Sequence, residues 1–301
     1  MMSKRKTLSI EKDQTRFGWM LNFPTLAILF VTILVPILYS LYISFQHLNY
    51  KQPNRTKFIW LQNYIELFQN QTFLHSLAVT GLFVLLTVSF ILVFGLAIAH
   101  LLKRNFKGNG LLRTIVLIPW AIPPVVNGVM WKFLLDSSYG AINSVLYQLG
   151  LISSYQSFLS DPNTAFAWVV FANVWKNLPF AILLLFAALQ TIPTEMYESA
   201  VMDGASSKTM LFKITIPLVS STMLVLLIFQ TMASLREFDL IYVMTSGGPG
   251  DATSVIGWLL YTQSFKFLDF GKGSAIGYII TMITLVIAMC YYRIFKNNIE
   301  S

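Results

Sequence analysis

Charge is scarce in this sequence. Lysine, arginine, aspartate and glutamate make up 11% of its 301 residues, where a soluble domain carries about 25%. Such a chain cannot clothe a large soluble core, and its long apolar runs read as membrane spans instead. Cysteine is nearly missing. Cys290 stands alone inside the last apolar run, which excludes an internal disulfide and leaves a packed or lipid-facing thiol. The three histidines, His47, His75 and His100, share no metal-ligand spacing. No G-x-x-x-x-G-K-[ST] loop is present. GKGS at Gly271 lacks the first glycine at the required spacing, so the chain is not expected to bind or hydrolyse ATP alone. There is no nucleophile elbow, no HExxH and no pair of carboxylates inside an apolar run. The sequence therefore supports a non-enzyme. No basic stripe interleaves with aromatics outside the apolar runs. The net charge of +8 reads as a topology signal, not as a nucleic-acid footprint. The N-terminal stretch MMSKRKTLSIEKDQTRFGW has no short apolar core with a small-residue cleavage site, so the first apolar run is expected to stay as a helix.

What the chain has in abundance is apolar length. It is 55% hydrophobic, with a mean hydropathy of +0.64. Six runs reach the roughly 20 residues that a helix needs to cross the hydrocarbon. They lie at Leu21–Phe45, Ser76–Leu102, Leu111–Leu135, Ala165–Leu189, Ile214–Leu235 and Ser274–Phe295. The expected fold class is an all-α integral membrane protein of six transmembrane helices. The third run holds Pro119, Pro123 and Pro124, which interrupt its hydrogen-bond ladder, so a kinked or broken helix is predicted there. With the N-terminus in the cytoplasm, 13 of the 21 basic residues fall on inner segments and 5 on outer ones. The inner set includes Lys4, Arg5, Lys6, Lys12, Arg16, Arg104 and Lys296. This bias places both termini inside. The expected layout is a cytoplasmic tail over 1–18, a first span with its outer loop over 19–73, a core of five helices over 74–295, and a cytoplasmic tail over 296–301. Within the outer loop, FIWLQNYIELF is amphipathic enough for a short interfacial helix.

Two polar features interrupt the spans. Lys176 lies near the middle of the fourth run, in FANVWKNLPF, flanked by Asn173, Trp175 and Asn177. An ammonium at that depth is costly and normally faces a bundle interior or water. It reads either as a polar patch on a solute pathway or as a lysine that snorkels to the interface. Arg236, Glu237 and Asp239 sit where the fifth run ends, with Tyr242 beyond them. They read either as an outer gate or solute contact, or as an interfacial charge cluster. On the first reading Glu237, Asp239 and Tyr242 join Asn173, Trp175, Lys176 and Asn177 as the candidate solute pathway. The aromatics Trp120, Trp131, Trp168, Trp175 and Tyr242 suit sugar stacking and equally suit a membrane-interface belt.

The segment EMYESAVMDGASSKTMLFKITIPLV, from Glu195 to Val219, joins the fourth and fifth runs. Thr194 reads as an N-cap, and Glu195 and Glu198 then favour the positive end of a helix. Ala200 and Gly204, four apart, are expected to share a face of a helix, where small residues let another surface approach closely, and Gly204 can also take a turn geometry that other residues resist. Ser206 or Ser207 is placed to cap a second helix, and Pro217 punctuates the return to the membrane. Apolar Met202, Met210, Leu211, Phe212 and Ile214 lie outside the span core. They need cover, which a docked partner would supply.

The pattern ESA-VMD-G followed by nine residues and I-T-I-P resembles the E-A-A-x3-G-x9-I-x-L-P signature of bacterial ABC importer permeases. Ser199 and Ile216 stand where that family usually has Ala and Leu. FPTLAILFVTILVPILYSLYISF, NYIELF, IPWAIPPVVNGVMWKFLLDSSYGAIN and DLIYVMTSGGPGDAT resemble blocks of its carbohydrate branch, of the maltose-transporter type. Trp60 stands where the family often has Gly. The resemblance implies a type I ABC importer permease fold, with 190–217 as a cytoplasmic coupling helix in a cleft of a separate ATPase. It implies that Glu198, Ser199, Ala200, Asp203, Gly204 and Pro217 carry the coupling. It also implies that the chain holds no cofactor, while ATP and magnesium belong to the partner. The partners would be a second permease, two cytoplasmic ATPase subunits, an external or periplasmic solute-binding protein and the lipid bilayer. The location would be the bacterial plasma membrane.

Two other classes are compatible with parts of the sequence. A gradient-driven secondary transporter usually carries intramembrane acids or repeats for its coupling ion, and here only Glu237, at a span edge, is available. A non-transporting membrane scaffold explains the exposed loop but not the polar fourth span.

Overall fold

The computed structural model describes residues 17–103 and 107–299. The basic tail around Lys4, Arg5, Lys6, Lys12 and Arg16, the residue Arg104 and the side chain of Lys296 lie outside the described residues. In chain order the elements begin with helix α1, Phe17–Ser44, which holds a π-helical turn at Phe30–Leu34. A two-stranded antiparallel hairpin follows, β1 at Gln46–His47 and β2 at Lys57–Phe58. Then come α2 (Gln62–Gln69), α3 (Gln71–Lys103), α4 (Asn109–Ala121) and α5 (Pro124–Leu134). Next are α6 (Ala141–Gln148), α7 (Pro162–Gln190), α8 (Thr194–Met202) and α9 (Ser207–Leu218). The last are α10 (Ser220–Leu235), α11 (Asp239–Met244), α12 (Ile256–Tyr261) and α13 (Phe270–Ile299).

Four of these helices are long and apolar enough to span alone: α1, α3, α7 and α13. The count reaches six if the bent pairs α4–α5 and α9–α10 are each one span. The first pair turns through 100°, at the proline run that the sequence marked. A residue before proline is pushed out of the helical region. Ile122 and Pro123 each precede a proline, and both are extended, at ψ 128° and 145°. Helix α5 then restarts at Pro124, where the missing N–H is unneeded. The second pair carries the fifth run, Ile214–Leu235, which Pro217 was expected to punctuate. It bends by 70° at Val219. Pro217 cannot donate to the carbonyl four residues back, and a π-helical turn at Leu211–Thr215 precedes it. Both weaken the ladder just before the bend.

The described residues form two compact units, one of 17–65 with 263–278, and one of 66–103 and 107–262 with 279–299. In the first, α1 is exposed along nearly its whole length, as suits a helix bathed in lipid. The buried amide of Asn63 donates to the carbonyls of Ser44 and Gln46, both at 2.8 Å. It thereby clasps the end of α1 to the start of α2, in the segment expected to form an interfacial helix.

The second unit is built on α3 and α7. The buried positions of α3 include Ser76, Thr80, Phe83, Thr87, Ile91, Gly95 and Ala99. That stripe has helical spacing, and half of the ten buried residues of the helix are small or hydroxylated. The lipid-ward face carries Leu82, Leu85, Phe90, Val93 and Phe94. Lipid tails are as apolar as leucine, so close packing of small residues holds the helices together instead. A Cβ on Gly95 would lie 3.3 Å from Ala181 Cβ on α7. The hydroxyls of Thr80 and Thr87 donate to Ser76 and Phe83 carbonyls at 2.6 and 2.7 Å, so neither is orphaned. Gly128 on α5 is tighter, because an added Cβ would meet Val243 Cβ of α11 at 3.0 Å. Gly128→Leu, which must fit a whole side chain against Val243, is therefore expected to cost about 1–3 kcal/mol by overpacking. A lowered midpoint in denaturant unfolding of the detergent-solubilised protein is the readout, and an unchanged midpoint would refute this contact.

Candidate functional site

Two places in the second unit hold the residues singled out from the sequence. The first is the link between α7 and α10. Helix α8 starts one residue earlier than expected: Pro193 occupies the N-cap position, at φ −58° and ψ 140°, and Thr194 is already helical. The proline ring fixes φ near about −65°, which a cap accepts, and the ψ of 140° makes the residue extended. Glu195 lies in the first turn, where the dipole favours it. The helix stops at Met202, so Ala200 and Gly204 do not share a helical face. Instead Gly204, at φ +77°, takes the left-handed position just past the helix end. Its N–H donates to the Val201 carbonyl at 3.0 Å, and the Ala205 N–H donates to Ala200 at 2.9 Å. This pair of bonds is the Schellman motif, in which glycine avoids the Cβ clash of the left-handed region. Ser206 caps α9 as the sequence suggested, its Oγ accepting from the Thr209 N–H at 3.2 Å.

Tyr197 closes the two helices on each other. Its hydroxyl lies 2.9 Å from Thr215 Oγ1, and Lys103 Nζ sits 4.9 Å above its ring. Thr215 is buried. The outer surface of the pair is open: Glu198, Ser199, Asp203, Gly204 and Pro217 are exposed and Ala200 is half-buried. Val201, Met202 and Phe212 are exposed apolar side chains, Met202 at 87%. A cleft of about 840 Å³ lies alongside, lined by His100, Tyr197, Glu198, Val201, Met202 and Leu211 among others. Nothing lies within 4 Å of where a Cβ on Gly204 would stand.

The second place is a polar cavity of about 130 Å³. Asn173, Lys176 and Asn177 face it from the middle of α7, with Asn127 and Pro124 from the start of α5. Ser234 from α10 and Glu237 from the turn after it complete the wall. Asn173 Nδ2 donates to Glu237 Oε2 at 2.8 Å, and the Leu240 N–H donates to Oε1 at 3.2 Å. A carboxylate with both oxygens accepting is well matched to that environment. Asn177 Nδ2 in turn donates to the Asn173 carbonyl at 3.0 Å. Asn127 Nδ2 donates to the Ala172 carbonyl at 3.3 Å, while its buried Oδ1 has no partner among the described residues.

The structure thus joins Asn173, Lys176, Asn177 and Glu237, which are 64 positions apart at the hydrogen bond that links them. It separates the others. Trp175 turns away to pack edge-on against Trp131, with ring centres 5.5 Å apart. Asp239 lies in the first turn of α11. Tyr242 joins a cluster with Phe238, Trp258 and Tyr261. Arg236 is exposed and donates to the Met232 carbonyl at 3.2 Å, so it makes no gate with Glu237 in this conformation. Asn127 and Ser234 escaped the sequence reading. The signal for Asn127 was present: helix breaks in membrane proteins gather polar groups, and it lies three residues after Pro124.

Comparison with known proteins agrees with this architecture. Residues 91–299 match the family described as binding-protein-dependent transport system inner membrane component. The chain is 36% identical to the trehalose/maltose transport system permease protein MalF of Thermococcus litoralis, over 97% of this chain and 98% of that one. It is 34% identical to the sulfoquinovosyl glycerol transport system permease protein SmoG of Agrobacterium fabrum, over 91% and 89%. It is also 34% identical to the trehalose transport system permease protein SugA of Mycobacterium tuberculosis, over 94% and 89%. Among solved structures, a bacterial ABC transporter involved in the import of the acidic polysaccharide alginate superposes with a TM-score of 0.81. That match has 24% identity and covers 97% of this chain and 99% of the other. The all-α permease fold expected from the sequence is borne out.

Proposed function

The chain belongs to the binding-protein-dependent transport system inner membrane component family, and on that footing we propose that it is the membrane pathway subunit of an ATP-driven sugar importer. It pairs with a second permease to enclose the path. An external binding protein delivers the sugar or oligosaccharide, and two ATPase subunits supply the energy. Relatives described as trehalose/maltose and trehalose permeases support the solute class.

The observation that carries the coupling half of this reading is the exposed α8–α9 pair. It presents Val201, Met202 and Phe212 with no cover, on a frame made rigid by the Schellman bonds and by Tyr197–Thr215. A rigid pair is what transmits motion, because an ATPase that binds one arrangement better shifts the permease toward it. Glu198, Ser199, Ala200, Asp203 and Gly204 meet the ATPase, and Pro217 sits before the 70° bend through which α9 moves α10.

The solute half rests on the cavity of Asn173, Lys176, Asn177 and Glu237. Ligand pockets span ~300–1,000 Å³, so a cavity of about 130 Å³ is a closed path that opens only with its partners. Its amides, ammonium and carboxyl suit hydroxyl groups, which both donate and accept. Trp175, Asp239 and Tyr242 flank the path without lining it.

One observation favours a second reading, gradient-driven transport: Glu237 occupies the wall of a mid-span cavity, where coupling-ion ligands are found. A single experiment separates the two. The chain is captured from native membranes, its partners are identified by mass spectrometry, and uptake is measured with vanadate or with a protonophore. An ATPase and a second six-span permease, with vanadate-sensitive uptake, are expected. Capture without an ATPase, with protonophore-sensitive uptake, overturns the importer reading.

A further inference from the structure

We propose that Trp60 and its neighbours form an anchor that seats the loop after α1 in the headgroup layer of the bilayer. The backbone of Trp60 is left-handed, at φ +54°, a region where a bulky side chain crowds the backbone. Inside the fold the side chain gains little in return, since it is 73% exposed. A bulky residue kept in a strained, exposed position points to a role outside the chain itself.

The geometry gives the height of this knob. The Ile59 N–H donates to the Phe45 carbonyl at 2.8 Å, which ties Trp60 to the level where α1 ends. Helix α1 is a candidate span of 28 residues, so its end lies at the membrane surface. Aromatic rings run from span to knob: Tyr42 in the last turn of α1 lies 6.1 Å from Phe58, and Phe58 lies edge-on 4.9 Å from Trp60. Leu61 and Ile65 extend the exposed apolar edge. Arg55 and Lys57, in the same loop and exposed, supply cations. An indole flanked by apolar side chains and cations matches the headgroup layer. The ring lies among the upper carbons, its N–H meets carbonyl or phosphate oxygens, and the cations meet phosphates. The patch is also continuous with the lipid-facing surface of α1, so the same solvent reaches both. Pinning the loop in this way needs no protein partner.

The test uses the full permease in vesicles of phosphatidylcholine and phosphatidylglycerol. Tryptophan fluorescence of the wild type is compared with that of Trp60→Phe, which isolates Trp60 from the other tryptophans. Lipids brominated just below the carbonyls, lipids brominated near the chain ends, and aqueous iodide are the quenchers. The Trp60 component is expected to be blue-shifted and quenched about twofold more by shallow bromine than by deep bromine, with little effect of iodide. A component quenched by iodide and by neither lipid places Trp60 in water and overturns the proposal. A component reached by no quencher places it inside protein, against this chain or a second copy of it, and overturns it equally. Trp60→Gly, which takes the same backbone without strain, gives the same difference measurement if Trp60→Phe is poorly produced.

Discussion

Gly204→Asp removes ATPase capture and uptake together, while Gly204→Asn keeps most of both. The two substitutions share a backbone cost. Gly204 lies at φ +77°, and Asn and Asp are the side chains that tolerate this region best, at roughly 1–2 kcal/mol relative to glycine. Each leaves the bonds from Gly204 to Val201 and from Ala205 to Ala200 in place, because these are made by the backbone. Each also has room, since a Cβ there meets nothing within 4 Å. The isolated permease therefore folds with either residue. The difference arises in the complex, where the aspartate is a charge sealed into an interface without a partner. Such a charge costs about 3–5 kcal/mol, or roughly 100-fold or more in affinity. Co-purification of the ATPase and vanadate-sensitive uptake are the two readouts. If Gly204→Asp captures the ATPase as well as Gly204→Asn does, this face is not where the ATPase binds.

Glu237→Leu destabilises the permease far more than Glu237→Gln. Leucine removes both acceptors, so Asn173 Nδ2 and the Leu240 N–H, bonded at 2.8 and 3.2 Å, are left unsatisfied. Each orphaned buried donor costs about 1–3 kcal/mol, a combined loss of about 2–6 kcal/mol. Lys176 would then line the cavity without the carboxyl beside it, which adds to the cost. Glutamine keeps an acceptor and adds a donor that neighbouring amides satisfy by turning over, so about 1 kcal/mol is expected. Denaturant midpoints of the two variants in detergent measure the difference. Uptake at matched expression then isolates function: if Glu237 contacts the solute, Glu237→Gln loses uptake although it remains folded. Equal midpoints for the two variants would show that the carboxyl does not hold Asn173 and Leu240 as described.

Most of the architecture was legible in the sequence because its causes are local. A span is a matter of consecutive apolar residues, and Gln71–Lys103 and Pro162–Gln190 overrun the expected limits by only a few residues. The break in the third span was visible because two consecutive residues precede prolines. The turn at Gly204 was an open choice between a helical face and a tight bend. Backbone bonding from Ala205 to Ala200 decided it, and such bonding depends on where the helix stops. Thr194 misled because a threonine and a proline compete for the same cap, and the extended backbone of Pro193 took it. The bend at Val219 was not legible. Its proline lies two residues earlier, and a π-helical turn adds to the effect.

The candidate path shows where local reasoning ends. Lys176, Asn173 and Asn177 share one helix, so a sequence pattern places them near each other. Glu237 lies 64 residues from its partner Asn173, and no periodicity links them. Only the packing of α7 against the turn after α10 brings the carboxyl to the amide. The same packing turned Trp175 toward Trp131 and took Tyr242 into a ring of aromatics, although both had seemed to belong with Lys176. By itself, the sequence determined that this chain is apolar enough to cross a membrane, that its third span is broken, and which loop carries apolar residues outside the spans. Hydrophobic length, proline and glycine act over a few residues, so these features need no tertiary information. The tertiary structure alone decided which polar side chains share a cavity and which helix ends are bent. In lipid, those choices follow from small-residue packing and from the need of every buried donor for an acceptor, and both are properties of neighbours that the chain order does not reveal.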